Sequence, residues 1–254
     1  MTPIGARLLL PACTALETMA RLVDELFDRN EAKAVFDSHR YATRTALGLY
    51  AKARKNTKAL YLLALNGFGE DAMILARSLV NMCIDLRFVC GDPNEAETRA
   101  RRWIARGRVG RRDFCLRVGT VPPDEFKVDW KAEGALAEEW DKVKIWQRAQ
   151  TAGLKDFYDL PYRHGSTFEH SDSWSALSFL EIDLPKGETR LLTVPSARYV
   201  DLALLTACCA LAQLAQDFGR FFDFELGGAL QEMDATVRRG FPTQATIIDQ
   251  SKGH

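Results

Sequence analysis

Apolar side chains recur every three to four positions through most of the chain, as in Leu16, Met19, Val23 and Leu26. This spacing puts them on one face of a helix and is typical of amphipathic α-helices. Capping residues, glycines and prolines divide the pattern into predicted helices at about 12–29, 34–65, 70–89, 95–118, 131–151 and 196–226, of which 34–65 is either one long helix or two stacked ones. A further helix is predicted to start at Asp159 and Pro161, and a last short helix to extend to 237. The pattern predicts an all-α helical bundle.

One segment has a different period. Leu180, Ile182 and Leu184 alternate with polar residues, and the alternation resumes at Leu192 and Val194 after the turn sequence Pro-Lys-Gly-Glu. Alternation with a period of two is typical of strands. The sequence therefore predicts one small β-hairpin, at about 179–195, inserted between helices.

Composition agrees with a folded domain. Of the 254 residues, 47% are hydrophobic and 27% are charged, which is close to the average for globular proteins. We expect a single domain over 1–254, with a core at about 12–237 and a flexible tail from about 240. Because 34 basic residues balance 34 acidic ones, any affinity for RNA must come from a local cluster of charge.

Several classes of protein are disfavoured by what the sequence lacks. The six cysteines form no Cys-x-x-Cys pair, and the first apolar run is three leucines closed by Pro11. The most apolar segment, Leu202 to Ala212, is much shorter than the ~20 residues that span a bilayer. We expect a cytoplasmic protein with reduced cysteines and no membrane partner. No spacing of metal ligands, GxGxxG or P-loop occurs, so neither a metal nor a cofactor is expected.

The segment from Tyr162 to His170 carries the most informative group of polar residues. If it is helical, Arg163, Ser166 and His170 lie on one face, since they are spaced i, i+3 and i+7. An arginine can bind a phosphate with two parallel hydrogen bonds, and a histidine can transfer a proton near neutral pH. The same side chains can instead form structural pairs with carboxylates such as Glu169.

Arg163, the polar His164 and then His170 resemble the Arg-polar-(x4 to x6)-His motif of the HEPN superfamily, which comprises compact helical proteins of toxin, abortive-infection and CRISPR systems. The resemblance implies metal-independent RNA cleavage. In that mechanism Arg163 binds the scissile phosphate, His170 acts as proton shuttle and His164 is the second motif position, with Ser166 beside them. It also implies a homodimer, because such families commonly pair two motifs across a dimer, and a toxin or phage-defence setting.

A wider set of residues resembles a bacterial helical family of unknown function. The set comprises Ala-Arg-Ser-Leu at 76–79, Trp140, Gly153, Leu154, Tyr158 and the Tyr-Arg-x-x-Ser-x-x-x-His segment at 162–170. The resemblance extends from about Leu60 to the last long helix. This chain has Asn81 where that family usually has glutamate.

Arg77, Asn81 and Asp85 form a polar stripe along the third predicted helix, spaced i, i+4 and i+8. Such a stripe on an apolar helix is either a buried network that fixes packing or the second wall of a site. Arg77 is a candidate for substrate binding, because a second cation facing His170 suits a phosphate.

Residues 99–117 contain eight arginines and one acid, Asp113. A run of charge is often only a solvated face, but arginine also binds phosphates and stacks on bases. Arg102 and Arg106 are therefore candidate RNA-binding residues. The alternative to a ribonuclease is a non-catalytic helical module that binds RNA, a nucleotide or a protein partner such as an antitoxin. A third possibility is an interaction scaffold in which these polar residues only order the core. The lone His39 on the second predicted helix is expected to be structural.

Overall fold

The structure is a computed structural model that describes residues 6–31, 37, 39–121, 128–169, 180–183, 185–191 and 198–242. Its helices are α1 (Ala6–Glu31), α2 (Tyr41–Leu65), α3 (Gly69–Cys90), α4 (Ala96–Arg117), α5 (Trp130–Lys142), α6 (Ile145–Thr151), α7 (Lys155–Phe157), a π-helical turn (Tyr158–Tyr162), α8 (Arg163–Glu169), α9 (Val200–Phe222) and α10 (Ala229–Gly240). Two strands, β1 (Leu180–Asp183) and β2 (Glu188–Leu191), complete the described elements. The prediction of an all-α bundle is confirmed.

Helix α3 lies at the centre of the bundle and packs against α2 and α9, while α1 covers α9. Met73, Leu79 and Ile84 of α3 are fully buried. The Cys83 thiol donates a hydrogen bond of 3.2 Å to the carbonyl oxygen of Ala210 in α9. Polar side chains on so buried a helix need partners in the protein, because water does not reach them.

Helix α9 is long and apolar enough to meet the criteria for a membrane span, and it is the one such helix in the part of the chain that the structure describes. Its most apolar window is 67% buried within the protein. A core helix has the same length and hydropathy, so this property alone does not indicate insertion into a bilayer.

The prediction of a helix from 34 is wrong at its start, since α2 begins at Tyr41 and His39 lies in a turn before it. The backbone N–H of His39 donates to the Asp37 carboxylate at 2.9 Å. Glu97 of α4 accepts a 2.9 Å hydrogen bond from the Tyr41 N–H and so caps α2. This cap comes from a residue 56 positions away and leaves no local signal in the sequence.

The single helix predicted at 131–151 is also wrong, because α5 ends at Lys142 and α6 starts at Ile145. Lys144 has an extended backbone with ψ 156°. Its N–H donates to the Gln147 side chain at 2.8 Å, which caps α6. The break lets α6 leave the direction of α5 and pack on α3.

The ends of three helices, α1, α9 and α10, differ from the predicted ones. Helix α1 starts at Ala6 and includes Pro11, and α10 reaches Gly240. Helix α9 stops at Phe222, earlier than predicted, because Asp223 adopts the left-handed conformation with φ 55°. Phe241 is only 3% exposed, so the core continues past 237. Most of the predicted flexible tail, 243–254, lies outside the described residues.

The predicted hairpin is present. Strands β1 and β2 pair antiparallel, with Leu180 opposite Leu191 and Ile182 opposite Thr189. Gly187 in the turn has φ +67°, which glycine adopts without steric cost. The predicted strand positions Leu184, Leu192 and Val194 lie outside the described residues.

Candidate functional site

The residues of the Tyr162–His170 motif follow a short helical run that starts earlier than predicted. Helix α7 begins at Lys155, and Pro161 lies inside the π-helical turn rather than opening a new helix. A proline has no N–H to donate and clashes with the preceding turn of an α-helix. The wider π turn accommodates Pro161, and α8 continues from it at Arg163.

Arg77 of α3 joins the two motif segments. Its Nε donates to the Ser166 hydroxyl at 2.7 Å, and its Nη2 donates to the Tyr162 hydroxyl at 2.8 Å. The same guanidinium forms an ion pair with Glu169, and its carbon lies 4.4 Å from the centre of the Tyr162 ring. Only 14% of the Arg77 side chain is exposed. These contacts fix α8 against α3.

Ser166 is fully engaged in this network. Besides accepting from Arg77, its hydroxyl donates to the Tyr162 carbonyl oxygen at 3.0 Å. Burial raises the pKa of the Tyr162 phenol, against the opposing effect of Arg77. The phenol therefore stays neutral, and Ser166 and Tyr162 anchor α8.

Gly165 allows the close approach of the two helices. A Cβ atom at this position would lie 2.6 Å from the Cβ of Arg77 and 3.2 Å from the carbonyl oxygen of Met73. Neither neighbour is the end of a flexible side chain, so any larger residue would push α8 away from α3.

His164 packs among aromatic rings. Its ring centre lies 5.5 Å from that of Phe168 and 5.9 Å from that of Tyr199. Burial lowers the pKa of His164. The imidazole is therefore neutral at pH 7 and serves packing between α8 and the start of α9.

Arg163 lies on the exposed side of α8. It forms no hydrogen bond or ion pair with any residue in the described ranges. His170, the predicted proton shuttle, follows Glu169 directly in sequence but lies outside the described residues. Of the four predicted catalytic residues, Arg163 alone is seen to be accessible to a ligand.

The arginines of α4 face the acidic residues of α5. The ion pairs along this seam are Arg102 with Glu139 at 2.7 Å, Arg106 with Asp141 at 2.8 Å and Arg108 with Glu133 at 3.2 Å. The predicted RNA-binding residues Arg102 and Arg106 are thus both paired within the protein. Arg101 and Arg117 are exposed and have no such pair among the described residues.

The polar stripe of α3 divides between two neighbouring helices. Arg77 binds α8, whereas Asp85 accepts a 3.2 Å hydrogen bond from Asn81 and lies 3.5 Å from Arg148 of α6. Burial raises the pKa of Asp85, and Arg148 opposes the shift. This arrangement is a buried structural network rather than the wall of an open site.

Sequence reasoning missed two features of this region. Glu169 was noticed only as a possible partner of Arg163 or His170, whereas it pairs with Arg77. Gly165 carried no signal beyond its identity, because its role depends on the distance to α3. Within the described ranges no cluster of three or more histidine, cysteine or acidic residues is placed to bind a metal.

Comparison with known proteins gives a family match. The family model described as a family of unknown function, DUF5677, matches residues 44–188. This range includes α3, with Arg77, and the whole segment up to α8. No curated protein and no solved structure matches the chain.

Proposed function

Because the chain belongs to DUF5677, whose function is unknown, we propose a function from its own residues: a HEPN-like, metal-independent endoribonuclease that reacts through Arg163 and His170. A cytoplasmic location, a homodimer and a toxin or phage-defence setting are parts of the same proposal.

One observation carries the proposal. Arg77 connects the Ala-Arg-Ser-Leu segment to Tyr162 and Ser166, so the two motifs meet in one network although they lie more than 80 residues apart. The network anchors α8 and leaves Arg163 exposed on it. A cation on an anchored helix can bind a phosphate with little loss of backbone freedom.

The proposed chemistry is an internal transfer of the phosphoryl group. His170 removes the proton of a ribose 2′-hydroxyl, and the 2′-oxygen bonds to the adjacent phosphorus. The bond from phosphorus to the 5′-oxygen breaks, and the histidinium returns its proton to that oxygen. Arg163 stabilises the negative charge that develops on the phosphate. The products are a 2′,3′-cyclic phosphate and a 5′-hydroxyl.

The test is cleavage of a mixed, end-labelled RNA pool in EDTA by the wild type, His170→Ala and Arg163→Ala. We expect 2′,3′-cyclic ends from the wild type and a loss of about 100-fold or more in each variant. Lys58→Ala is the matched control, because it removes one exposed charge from α2, outside both motifs. Circular dichroism confirms that each variant is folded.

A wild type that leaves the RNA pool intact would overturn the ribonuclease proposal. Cleavage that persists unchanged in His170→Ala would do the same, since it would indicate a contaminating nuclease. Arg163→Lys refines the result: a lysine retains the charge but not the two parallel hydrogen bonds, so we expect partial activity.

A non-catalytic binding module is the second candidate. It is favoured by the contacts of His164, Ser166 and Arg77, which hold these side chains in packing and hydrogen bonds rather than presenting them to a ligand. RNA binding without cleavage, weakened by Arg163→Ala and not by Lys58→Ala, would support this candidate over the enzyme.

A further inference from the structure

The outward face of α2 carries positive charge that the protein does not neutralise. The helix contains no acidic residue, and its basic residues are Arg44, Lys52, Arg54, Lys55 and Lys58. Arg54 pairs with Asp24 of α1 at 2.6 Å. Lys52, Lys55 and Lys58 are exposed and form no hydrogen bond or ion pair within the part of the chain that the structure describes. These three ammonium groups are therefore available to a partner outside the protein.

Two leucines extend the same face toward the end of α2. Leu62 and Leu65 are 60% and 53% exposed, whereas Leu60 on the opposite face is fully buried in the core. Lys55, Lys58, Leu62 and Leu65 are spaced i, i+3, i+7 and i+10, which puts all four on one side of the helix. We call these four residues the outer row. Its leucines are not part of the core, although their side chains are as apolar as those inside it.

The combination of lysines and leucines decides which partner fits the outer row. The phosphates of RNA bind lysines, but they gain nothing from Leu62 and Leu65. A second copy of this face would bring lysines against lysines, and an amphipathic partner helix docks in a groove, whereas the outer row lies along the exposed side of a single helix. An anionic bilayer suits both kinds of side chain, because its headgroups attract ammonium groups and its acyl region takes up leucines.

We propose that α2 binds the surface of an anionic membrane through the outer row. The 25 residues of the helix extend over about 38 Å, which allows a long contact with a flat surface. The flexible lysine stems keep the ammonium groups at the level of the lipid phosphates while the leucines enter the acyl region. The acids that come next in sequence, Glu70 and Asp71, lie beyond the leucine end of the row, at the start of α3.

Binding of this kind is peripheral. The sequence predicts no membrane partner because its most apolar segment is too short to span a bilayer, but an interfacial helix does not require a spanning segment. The outer row contains neither Arg163 nor His170. Membrane binding therefore does not depend on the proposed ribonuclease activity, and either can fail without the other.

The proposal is tested by flotation of the full chain with vesicles of phosphatidylcholine alone and of an equal mixture of phosphatidylcholine and phosphatidylglycerol. We expect binding to the anionic mixture, much weaker binding to phosphatidylcholine, and a loss of binding as the salt concentration rises, because salt screens exposed charges. No binding to the anionic vesicles, or equal binding to both kinds, overturns the proposal. Binding of poly(U) RNA that depends on Lys55 and Lys58, without binding of vesicles, overturns it as well and assigns the lysines to RNA.

Charge variants locate the surface. The double variant Lys55→Gln and Lys58→Gln is expected to weaken binding to the anionic vesicles by about tenfold or more, since each lysine near the membrane contributes about fivefold. The control, Lys131→Gln with Lys142→Gln, removes two exposed lysines from α5, which packs on α4. It is expected to change the affinity by less than about twofold. Equal weakening by the two double variants would show a general effect of net charge and overturn the assignment to α2.

Leucine variants test the insertion. The double variant Leu62→Gln and Leu65→Gln keeps every charge and is expected to weaken binding by about tenfold or more, because two apolar side chains no longer leave water. Phe114→Gln with Leu116→Gln removes two exposed apolar side chains from α4 and is expected to change the affinity by less than about twofold. Unchanged binding by the leucine variant would show adsorption by charge alone and overturn the proposal. Circular dichroism confirms that each variant is folded. If the leucine double variant does not fold, Leu62→Gln gives the same comparison against Leu116→Gln.

Discussion

The Oγ of Ser166 accepts a hydrogen bond of 2.7 Å from the Nε of Arg77, which lies 89 positions earlier in the chain. Through this contact α3, the central helix of the core, holds the short helix that presents Arg163. The accessible cation and the buried network are therefore parts of one arrangement. Changes to the network are expected to act on stability first and on the site through it.

Removal of Arg77 tests the network. Arg77→Met retains much of the side-chain volume but leaves Tyr162, Ser166 and Glu169 without their shared donor. Because Glu169 can rehydrate, we expect a loss of about 2–3 kcal/mol in the free energy of unfolding, less than for a fully buried pair. Urea denaturation measures this loss. Arg77→Lys should lose less stability than Arg77→Met, and Arg163→Ala should change stability by less than about 0.5 kcal/mol. Equal stability of Arg77→Met and the wild type would contradict the anchoring role.

The close approach at Gly165 gives a second prediction. Gly165→Ala puts a Cβ 2.6 Å from that of Arg77, so the helices must separate, at a cost of about 1–3 kcal/mol. Gly107→Ala is the matched control, since Gly107 lies inside α4 and an added Cβ meets nothing within 4 Å. There the alanine should stabilise by about 0.5–1 kcal/mol. Thermal unfolding should therefore shift in opposite directions in the two variants, and a shift in the same direction would contradict the packing argument.

The ion pairs along the seam between α4 and α5 differ in how deeply their side chains are buried. Arg106 and Asp141 are 46% and 55% exposed, whereas Arg108 and Glu133 are 20% and 10% exposed. Arg106→Ala is expected to cost less than about 1 kcal/mol, because an exposed pair contributes little. Arg108→Ala should cost about 2–4 kcal/mol, because it leaves the Glu133 carboxylate buried without its partner. Chemical denaturation of the two single variants provides the comparison, and equal costs would show that burial does not govern this seam.

The helices were predictable where their limits depend on local chemistry. Predicted ends of α3 and α4 agree with the structure to within one residue, because apolar periodicity and adjacent glycine or proline signals define them. The start of α2 was not predictable, since its cap is the Glu97 carboxylate of another helix. Distant partners leave no trace in local spacing.

In the candidate site, too, the residues were predictable from the sequence but their distant contacts were not. The sequence predicts that Arg77 faces His170 as a cation for substrate, whereas its guanidinium is bonded to Tyr162 and Ser166. This connection depends on the packing of α8 on α3, which requires Gly165. A cavity lined by Arg87 and Arg220 was not predicted either, because its walls include the ends of α6 and α9, which are remote in sequence from α3.

The buried carboxyl of Asp85 provides a prediction about pH. Burial raises its pKa above the ordinary value of 3.8, with Arg148, Trp103 and Asn81 opposing the shift. A group whose pKa is raised in the folded state contributes stability that is complete below the unfolded pKa of about 4 and is lost as pH rises through the folded pKa. Asp85→Asn removes this dependence.

The free energy of unfolding of Asp85→Asn should therefore increase relative to that of the wild type as pH rises above about 4, which means that the variant gains relative stability. The absolute stability of the variant is reduced by the loss of the Arg148 pair, so the informative quantity is the slope of the difference with pH. Urea denaturation of both proteins between pH 4 and pH 7, with equal m-values as the control for unchanged structure, measures that slope. A difference that moves in favour of the wild type as pH rises would show that Arg148 outweighs burial and holds the Asp85 carboxyl ionised.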